Sequence, residues 1–325
     1  MRSLIFTENR ANSVPGPNDT ETKKHVIQLL ASFEVHNSNS EHPTYYLLFP
    51  WADGNLEEFW KQQDGAYSPR NQVQTGWMID QFYHLAKALQ CLHNDRKTVL
   101  SQRTDSNRYG RHGDIKPGNF LFFCDSSYPG FELVLADFGL GRLHSKVSKS
   151  MQPPNVSRTA TYAAPEYDIE GGLLSPRSDI FSLGCVLLEH MVWLFDGFAA
   201  VEVFTDERMS QGYYSSFETD TFWEVSGTDR TSAKIKDKVS ERLTTLKNHD
   251  DCVEVIGEIL EVIEKKMLQP RQGDRYTSED LVHELNRIRG KWARQDSFYG
   301  TRAWKESRSP KLSRLLQIVS DWLPQ

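Results

Sequence analysis

The stretch of sequence that decides the fold runs from Arg111 to Glu166. It begins with His112-Gly113-Asp114-Ile115-Lys116-Pro117-Gly118-Asn119, followed by a short apolar run, Phe120-Leu121-Phe122-Phe123, that predicts a strand. A turn-rich connection and a second apolar run, Phe131 to Ala136, then lead into Asp137-Phe138-Gly139. The stretch closes with Arg158-Thr159-Ala160-Thr161-Tyr162-Ala163-Ala164-Pro165-Glu166.

Two short strands joined by a turn predict a β-hairpin, which brings the polar residues at its ends together. Asp114, Lys116 and Asn119 lie on the loop before the first strand, and Asp137 ends the second, where Gly139 lets the backbone turn sharply. Carboxylate and amide oxygens are ligands that suit Mg²⁺. Another carboxylate can accept a proton from a hydroxyl, and a lysine can neutralise charge on a transferring phosphoryl group.

The ordered set of motifs resembles the catalytic and activation segments of eukaryotic protein kinases. The resemblance implies that Asp114 is the catalytic base and that Asn119 and Asp137 hold Mg²⁺. It also implies that Lys116, with Thr159 in the substrate-facing loop, represents the serine/threonine pattern. The cofactors implied are ATP and Mg²⁺.

The same resemblance assigns structural roles to residues around this centre. His112, Phe138 and Gly139 would belong to the regulatory core, and Ala164-Pro165-Glu166 matches the A-P-E motif of the family. Asp179, at the start of a buried helix, would bond the backbone of the catalytic loop. Arg275 would form a buried ion pair with Glu166.

The nucleotide-binding residues implied by the resemblance lie upstream. The segment from Tyr45 to Phe49 predicts the last strand of a small lobe, followed by a hinge at 50–52. The backbone of Phe49 and Trp51 would bond adenine, Leu48 would be the gatekeeper, and Leu121 would form the floor of the adenine site.

The implied fold class is α+β, a protein-kinase-like fold with a mostly helical large lobe and a truncated β-rich small lobe. We expect an irregular or disordered arm at 1–24, a kinase-like domain at 25–290, and a C-terminal extension with a short amphipathic helix at 291–325. Within the domain, 25–52 would be the remnant of the small lobe and hinge, and 53–290 the large lobe. Further predicted elements are a strand at Val26 to Phe33 and helices at Leu56 to Gln63, Gly76 to Asn94 and Asp250 to Met267.

Two departures from the family pattern bear on function. No G-x-G-x-x-G and no suitably placed strand lysine precede Val26, and both normally grip the phosphates of ATP. Gly113 stands where the family usually has an arginine that grips a phosphate on the activation loop, which argues against control by phosphorylation there. Arg142 and Arg158 are candidate substitutes.

The composition of the chain argues against several other classes of function. The chain has 325 residues, of which 38% are hydrophobic and 25% charged, with a net charge of −6. An acidic chain is not a typical general nucleic-acid binder. Four scattered cysteines predict free thiols in a reducing compartment, so we expect an intracellular protein, cytoplasmic or nuclear. The most apolar segment, Phe181 to Phe195, is shorter than a membrane span and contains Glu189 and His190, so no membrane partner is expected.

The sequence therefore predicts a protein serine/threonine kinase that transfers the γ-phosphoryl group of ATP to a protein hydroxyl. A catalytically impaired, pseudokinase-like scaffold is the alternative, because the Gly-rich loop and the strand lysine are absent. A truncated kinase and a lobe completed by another chain stay open as explanations of that absence. A small-molecule kinase is disfavoured, since such enzymes generally lack the A-P-E segment and its arginine partner.

Overall fold

The structure, a computed structural model, describes residues 25–35, 43–93, 108–124, 131–138, 142–145, 160–211, 218–227 and 231–299. Its helices are α1 Leu56–Gln62, α2 Gln72–His93, α3 Arg177–Asp196, α4 Phe198–Glu207, α5 Asp237–Lys247, α6 Glu254–Val262 and α7 Ser278–Tyr299. Single 3₁₀ turns occur at Pro117–Asn119, Pro165–Tyr167 and Gln272–Asp274, and a π-helical turn at Ile263–Met267 extends α6.

The strands are short and form small antiparallel sheets. The longest are β1 Ala31–Val35, β2 Thr44–Leu48, β5 Phe120–Cys124 and β6 Phe131–Leu135. The others are β3 Gly54–Asn55, β4 Arg108–Arg111, β7 Arg142–Ser145, β8 Ser210–Gln211, β9 Glu218–Thr219, β10 Trp223–Ser226 and β11 Ser232–Ile235. The sheets are β1-β2, β3-β5-β6, β4-β7, β8-β9 and β10-β11. Helices with small separate sheets confirm the predicted α+β class.

Helix α3 is the centre of the core. Its most apolar window is 94% buried inside the protein, and it is the one helix among the described residues long and apolar enough to span a membrane. Burial on all sides explains why this helix is hydrophobic around its whole circumference, since that pattern is typical of a core helix. Helices α4 and α5 and the π-helical turn after α6 pack against it, and rings of α1 and α2 contact its Trp193 and His190.

Aromatic packing joins α3 to the hairpin β5-β6. Phe59 of α1 is fully buried, and its ring centroid lies 5.6 Å from that of Phe122, 5.1 Å from that of Phe131 and 5.5 Å from that of Trp193. Asn55 starts α1 with a capping box, in which its side chain accepts hydrogen bonds from the first turn and Glu58 bonds back to its backbone. The polar cap therefore fixes where the helix begins, and Phe59 one turn later fixes which face is buried.

Several predicted boundaries were wrong. The strand predicted from Val26 to Phe33 begins only at Ala31 and continues to Val35 as β1. Val26 instead forms a parallel bridge with Leu135 of β6. The helix predicted from Asp250 begins only at Glu254. Residues Arg108–Arg111, for which no strand was predicted, form β4 and pair with β7.

The last helix also differs from expectation. The predicted domain boundary after residue 290 falls inside α7, which continues to Tyr299. Trp292 packs on α2 at Gly76, where an added Cβ would lie 2.8 Å from the indole nitrogen. The glycine thus permits a close approach of α7 to α2 that a larger residue would block. The predicted arm at 1–24 and the predicted amphipathic helix of the C-terminal extension lie outside the described residues.

The hairpin β1-β2 is exposed along its whole length. All ten of its residues are exposed, including Phe33 at 53% and Tyr46 at 47%, whose rings stack across the strands with centroids 5.1 Å apart. Their register, Phe33 opposite Tyr46, places both rings on one face of the hairpin. The hairpin therefore contributes little to the buried core.

Phe59 is buried and Phe33 is exposed, so replacing each with alanine should change the free energy of unfolding by different amounts. Phe59→Ala should destabilise the protein by about 3–5 kcal/mol, because it removes a fully buried ring and leaves a cavity. Phe33→Ala should cost no more than about 1.5 kcal/mol, since an exposed residue loses little beyond its ring stack. Urea unfolding monitored by tryptophan fluorescence measures both values. Equal losses would contradict the described placement of the hairpin.

Candidate active site

The loop 112–116, which we call the catalytic loop after its predicted role, lies between β4 and the 3₁₀ turn at Pro117–Asn119. His112 is completely buried, and its Nε2 lies 3.0 Å from the carbonyl oxygen of Ala136, to which it donates. Its Nδ1 accepts from the backbone N–H of Asp114 at 3.3 Å. Burial lowers the pKa of His112, which fits a neutral ring that donates at one nitrogen and accepts at the other. The ring also packs against Phe138, with centroids 4.9 Å apart.

Three of the predicted residues come together in the loop. The side-chain nitrogen of Asn119 donates to the backbone oxygen of Asp114 at 2.7 Å and to its carboxylate at 3.1 Å. The ammonium of Lys116 lies 2.8 Å from the same carboxylate. With its nitrogen engaged by Asp114, the amide of Asn119 offers its oxygen as a ligand. The loop therefore presents a carboxylate, a lysine and an amide oxygen within a few ångströms.

Asp137 is brought next to this loop by the hairpin. The N–H of Ala136 donates to the backbone oxygen of Asn119 at 2.9 Å, so the end of β6 lies against the catalytic loop. Asp137 has φ +60°, the left-handed conformation that aspartate and asparagine tolerate better than other side chains. Such a conformation outside glycine points to a position that function constrains.

Asp179, in the first turn of α3, holds the loop from beneath. Its carboxylate accepts hydrogen bonds from the N–H groups of His112 at 2.8 Å and Gly113 at 2.9 Å, and from Nε2 of His93 at 2.9 Å. Burial alone would raise the pKa of Asp179, but the hydrogen bonds and the nearby histidines hold it below its ordinary value. Gly113 has φ +83°, a conformation that an arginine at this position would adopt only with strain.

Glu166 and Arg275 form the buried ion pair that the sequence predicts. Two guanidinium nitrogens lie 2.7 Å and 2.8 Å from the two carboxylate oxygens, a bidentate arrangement. The hydroxyl of Ser178 and the amide of Gln272 also donate to Glu166, at 2.7 Å and 2.9 Å. Burial acts to raise the pKa of Glu166, and these donors, Arg275 foremost, hold it below the ordinary value.

The residues predicted to contact adenine are more exposed to solvent than those of the catalytic loop. Trp51 is 96% exposed and Phe49 is also exposed, while Leu121 is partly buried. The sheet brings the segments together, because β3 pairs with β5 and places Asn55 opposite Leu121. Thr159 and Gly139, both predicted site residues, lie outside the described residues.

Sequence reasoning missed two polar clusters, one of which adjoins the catalytic loop. Tyr167 receives a hydrogen bond from the guanidinium of Arg111 at 2.6 Å, and its hydroxyl lies 3.5 Å from the carbonyl oxygen of Gly113. A second cluster joins Glu189 to Arg208, whose guanidinium lies 2.7 Å from the carboxylate. A signal for the second was present, since a charged residue such as Glu189 inside an apolar run needs a buried partner.

The chain is similar to known proteins over most of its length. The family model described as the protein kinase domain matches residues 19–285. A putative receptor-like protein kinase of Arabidopsis thaliana is 36% identical over 138 residues, which are 42% of this chain and 25% of that protein. A homeodomain-interacting protein kinase of Mus musculus is 28% identical over 170 residues, 52% of this chain and 23% of that protein. The chain thus spans about a quarter of the length of these relatives.

The buried ion pair allows a double-mutant test. Arg275→Met should destabilise the protein by about 3–5 kcal/mol, because it leaves Glu166 charged and buried without its partner. Adding Glu166→Gln to Arg275→Met should recover part of that loss, because the uncompensated charge is removed. Unfolding in urea measures the single and double variants. Additive losses in the double variant would show that the two side chains do not interact.

The lowered pKa values of Glu166 and Asp179 predict that the stability of the fold depends on pH. A carboxylate with a lower pKa in the folded than in the unfolded chain stabilises the fold above its unfolded value, which is about 4.3 for glutamate. That contribution is lost as pH falls through the folded pKa. The free energy of unfolding should therefore fall on acidification below about pH 4.5, and Glu166→Gln should show a shallower fall. If the free energy of unfolding fell equally steeply with pH in the wild-type chain and in Glu166→Gln, the lowered pKa of Glu166 would be contradicted.

Proposed function

Because the chain belongs to the protein kinase family, we propose that it transfers the γ-phosphoryl group of ATP to a serine or threonine hydroxyl of a protein substrate. The observation that carries the proposal is the cluster of Asp114, Lys116 and Asn119, fixed from beneath by Asp179. Similarity to a probable serine/threonine-protein kinase of Arabidopsis thaliana, 36% identical over 104 residues, supports the choice of acceptor.

Asp114 is proposed as the catalytic base. Its carboxylate would orient the substrate hydroxyl and accept its proton as the new bond to phosphorus forms. Lys116, 2.8 Å from that carboxylate, would balance the charge that develops on the phosphoryl oxygens. Asp179 would keep the loop in position without contacting substrate, because its carboxylate is used by loop N–H groups.

The donor set fits magnesium. Asn119 directs its nitrogen to Asp114 and thereby offers its oxygen, and Asp137 supplies a carboxylate from the end of β6. Hard oxygen ligands of this kind suit Mg²⁺, which usually binds one or two protein groups together with substrate phosphates. When bound, the ion would neutralise charge on the phosphates of ATP. Phe49, Trp51 and Leu121 are proposed to contact the adenine.

A pseudokinase-like scaffold is the second candidate. The sequence ahead of Val26 contains no Gly-rich loop and no strand lysine, both of which normally hold the phosphates. The exposed apolar hairpin β1-β2 is also suited to contact with another protein surface. In this alternative the large lobe would bind partners without catalysing transfer, and nucleotide binding would be weak or absent.

Thermal unfolding with and without MgATP distinguishes these candidates. A ligand at 100 times its dissociation constant adds about 2.7 kcal/mol of stability. For a domain of this size the melting temperature should rise by roughly 5–10 °C. Asp137→Asn should abolish the magnesium-dependent part of the shift, and asparagine suits the positive φ at this position. Asp237→Asn, which changes an exposed carboxylate (82% exposed), is the matched control.

The role of Asp114 requires a separate variant. Asp114→Asn should retain the MgATP-induced shift but lose phosphoryl transfer by about 10²-fold or more, as expected when a general base is removed. Incorporation of labelled phosphate into a mixed serine/threonine peptide substrate measures transfer. Full transfer by Asp114→Asn would refute the assignment of the base. No shift and no transfer in the wild-type chain would favour the scaffold.

A further inference from the structure

Arg111, the last residue of β4, carries a buried cation directly before the catalytic loop. Its side chain is only 5% exposed, and its Nε has no hydrogen-bond partner in the part of the chain that the structure describes. The hydrogen bond that the guanidinium does make is to a phenol and not to a carboxylate. Nη1 donates to the hydroxyl oxygen of Tyr167 at 2.6 Å. A buried charge is costly without polar partners, so this contact is important for the placement of the arginine.

The contact with Tyr167 continues to the catalytic loop. The guanidinium lies over the ring of Tyr167, 5.2 Å from its centroid, while Nη1 reaches the hydroxyl. The hydroxyl in turn donates to the carbonyl oxygen of Gly113, 3.5 Å away. Successive hydrogen bonds polarise one another, and here the first donor is a cation. We call this series, from Arg111 through Tyr167 to Gly113, the Arg111–Tyr167 link.

Both ends of the link are fixed by buried groups. Tyr167 belongs to the 3₁₀ turn that contains Glu166, which is itself held by a buried ion pair. On the other side, the N–H of Gly113 donates to Asp179 at 2.9 Å. The carbonyl of Gly113 belongs to the same peptide group as the N–H of Asp114. The link therefore sets the orientation of the peptide group that precedes the proposed catalytic base.

The position of the cation differs from the pattern that the sequence resembles. Gly113 stands where protein kinases usually have an arginine that grips a phosphate on the activation loop. A contact of that kind forms only after a phosphoryl group has been added. In this chain the guanidinium lies two residues earlier, and its acceptor is the unmodified hydroxyl of Tyr167. The anchoring contact is thus available without any modification of the chain.

We propose that the Arg111–Tyr167 link holds the catalytic loop in its working position without a phosphate. Phosphoryl transfer by this chain is then independent of phosphorylation of residues 140–159. Arg111 and Tyr167 are positioning residues, because they act on Asp114 through the peptide group of Gly113 and do not contact substrate. The inference rests on the proposed kinase function and specifies how that function is regulated.

Hydrogen exchange tests the link without any need for activity. Tyr167→Phe removes the hydroxyl and keeps the ring, and Arg111→Met removes the donor and keeps an unbranched side chain. In each variant the amides of His112 and Gly113 should exchange on the order of tenfold faster, the scale of one lost hydrogen bond to a charged group. Unchanged exchange of these amides in both variants would overturn the link.

Tyr83→Phe is the matched control for the exchange experiment. Tyr83 lies on α2 and also has a guanidinium over its ring, that of Arg289, 5.0 Å from the centroid. Removing its hydroxyl should leave exchange in the catalytic loop unchanged, because Tyr83 makes no contact with Gly113. An increase equal to that in Tyr167→Phe would show that the effect is not specific to the link, and would also overturn it.

A phosphatase experiment tests the regulatory part of the proposal. The wild-type chain is treated with a protein phosphatase, and mass spectrometry verifies that residues 140–159 carry no phosphate. After removal of the phosphatase, transfer to the peptide substrate should begin without a lag and at the rate of the untreated chain. A lower rate, or a lag that ends as phosphate returns to these residues, would overturn independence from phosphorylation.

Steady-state kinetics test the positioning role. Tyr167→Phe should lower kcat on the order of tenfold, with the KM values for peptide and ATP unchanged, because the contact orients the base and not the substrates. Arg111→Lys keeps a cation that can donate to the phenol, so it should retain more of kcat than Arg111→Met. An unchanged kcat in Tyr167→Phe, or equal losses in the two variants of Arg111, would overturn the role.

The double variant shows whether the two side chains act through one contact. Arg111→Met combined with Tyr167→Phe should lower kcat no further than Arg111→Met does alone, and multiplied losses would contradict the link. If the wild-type chain transfers no phosphate to peptides, the proposed function fails, and the regulatory role fails with it. The exchange experiment then still decides whether the link holds the loop.

Discussion

The carboxylate of Asp179 is the interaction on which the site depends. It is buried at the start of α3, and it satisfies two N–H groups of the catalytic loop and one histidine. A buried carboxylate is tolerated only when its oxygens are hydrogen-bonded, so the loop and the helix need each other. The position of Asp114, Lys116 and Asn119 therefore follows from a helix that is itself fixed by the hydrophobic core.

Two further buried carboxylates near α3 are also stabilised by a polar partner. Glu166 pairs with Arg275, and Glu189 pairs with Arg208, each as a buried carboxylate that meets a guanidinium. Each pair ties a stretch of irregular backbone to the central helix or its surroundings. Irregular backbone lacks the regular hydrogen bonds of helices and strands, and side chains provide its anchors instead. The helix thus acts as the common support for the catalytic loop and the loop 160–164.

The sequence predicted the elements that a local pattern of residues specifies. The apolar runs before Cys124 and before Asp137 predicted β5 and β6, and the resemblance of the motifs implied the family and the pair of Glu166 with Arg275. Thr159 stays a prediction, since it lies outside the described residues, and the roles of Asn119, Asp137, Phe49, Trp51 and Leu121 stay proposals. Residues 196–249 carried no clear periodicity, although they contain helices α4 and α5. The strands between these helices are only two to four residues long, and buried side chains, Arg208 and Lys236, hold them together. Contacts between residues distant in sequence decide that region, and no local pattern encodes them.

The exposed hairpin β1-β2 can unfold separately from the rest of the protein. A two-stranded sheet with every residue exposed draws almost no stability from burial and is marginal by itself in water. Such a unit opens and closes locally, at a much lower free energy than global unfolding of the core around α3. If Phe49 and Trp51 bind a ligand, their binding and the closing of the hairpin are coupled equilibria. Any surface that covers the hairpin would then strengthen binding of that ligand without contacting it.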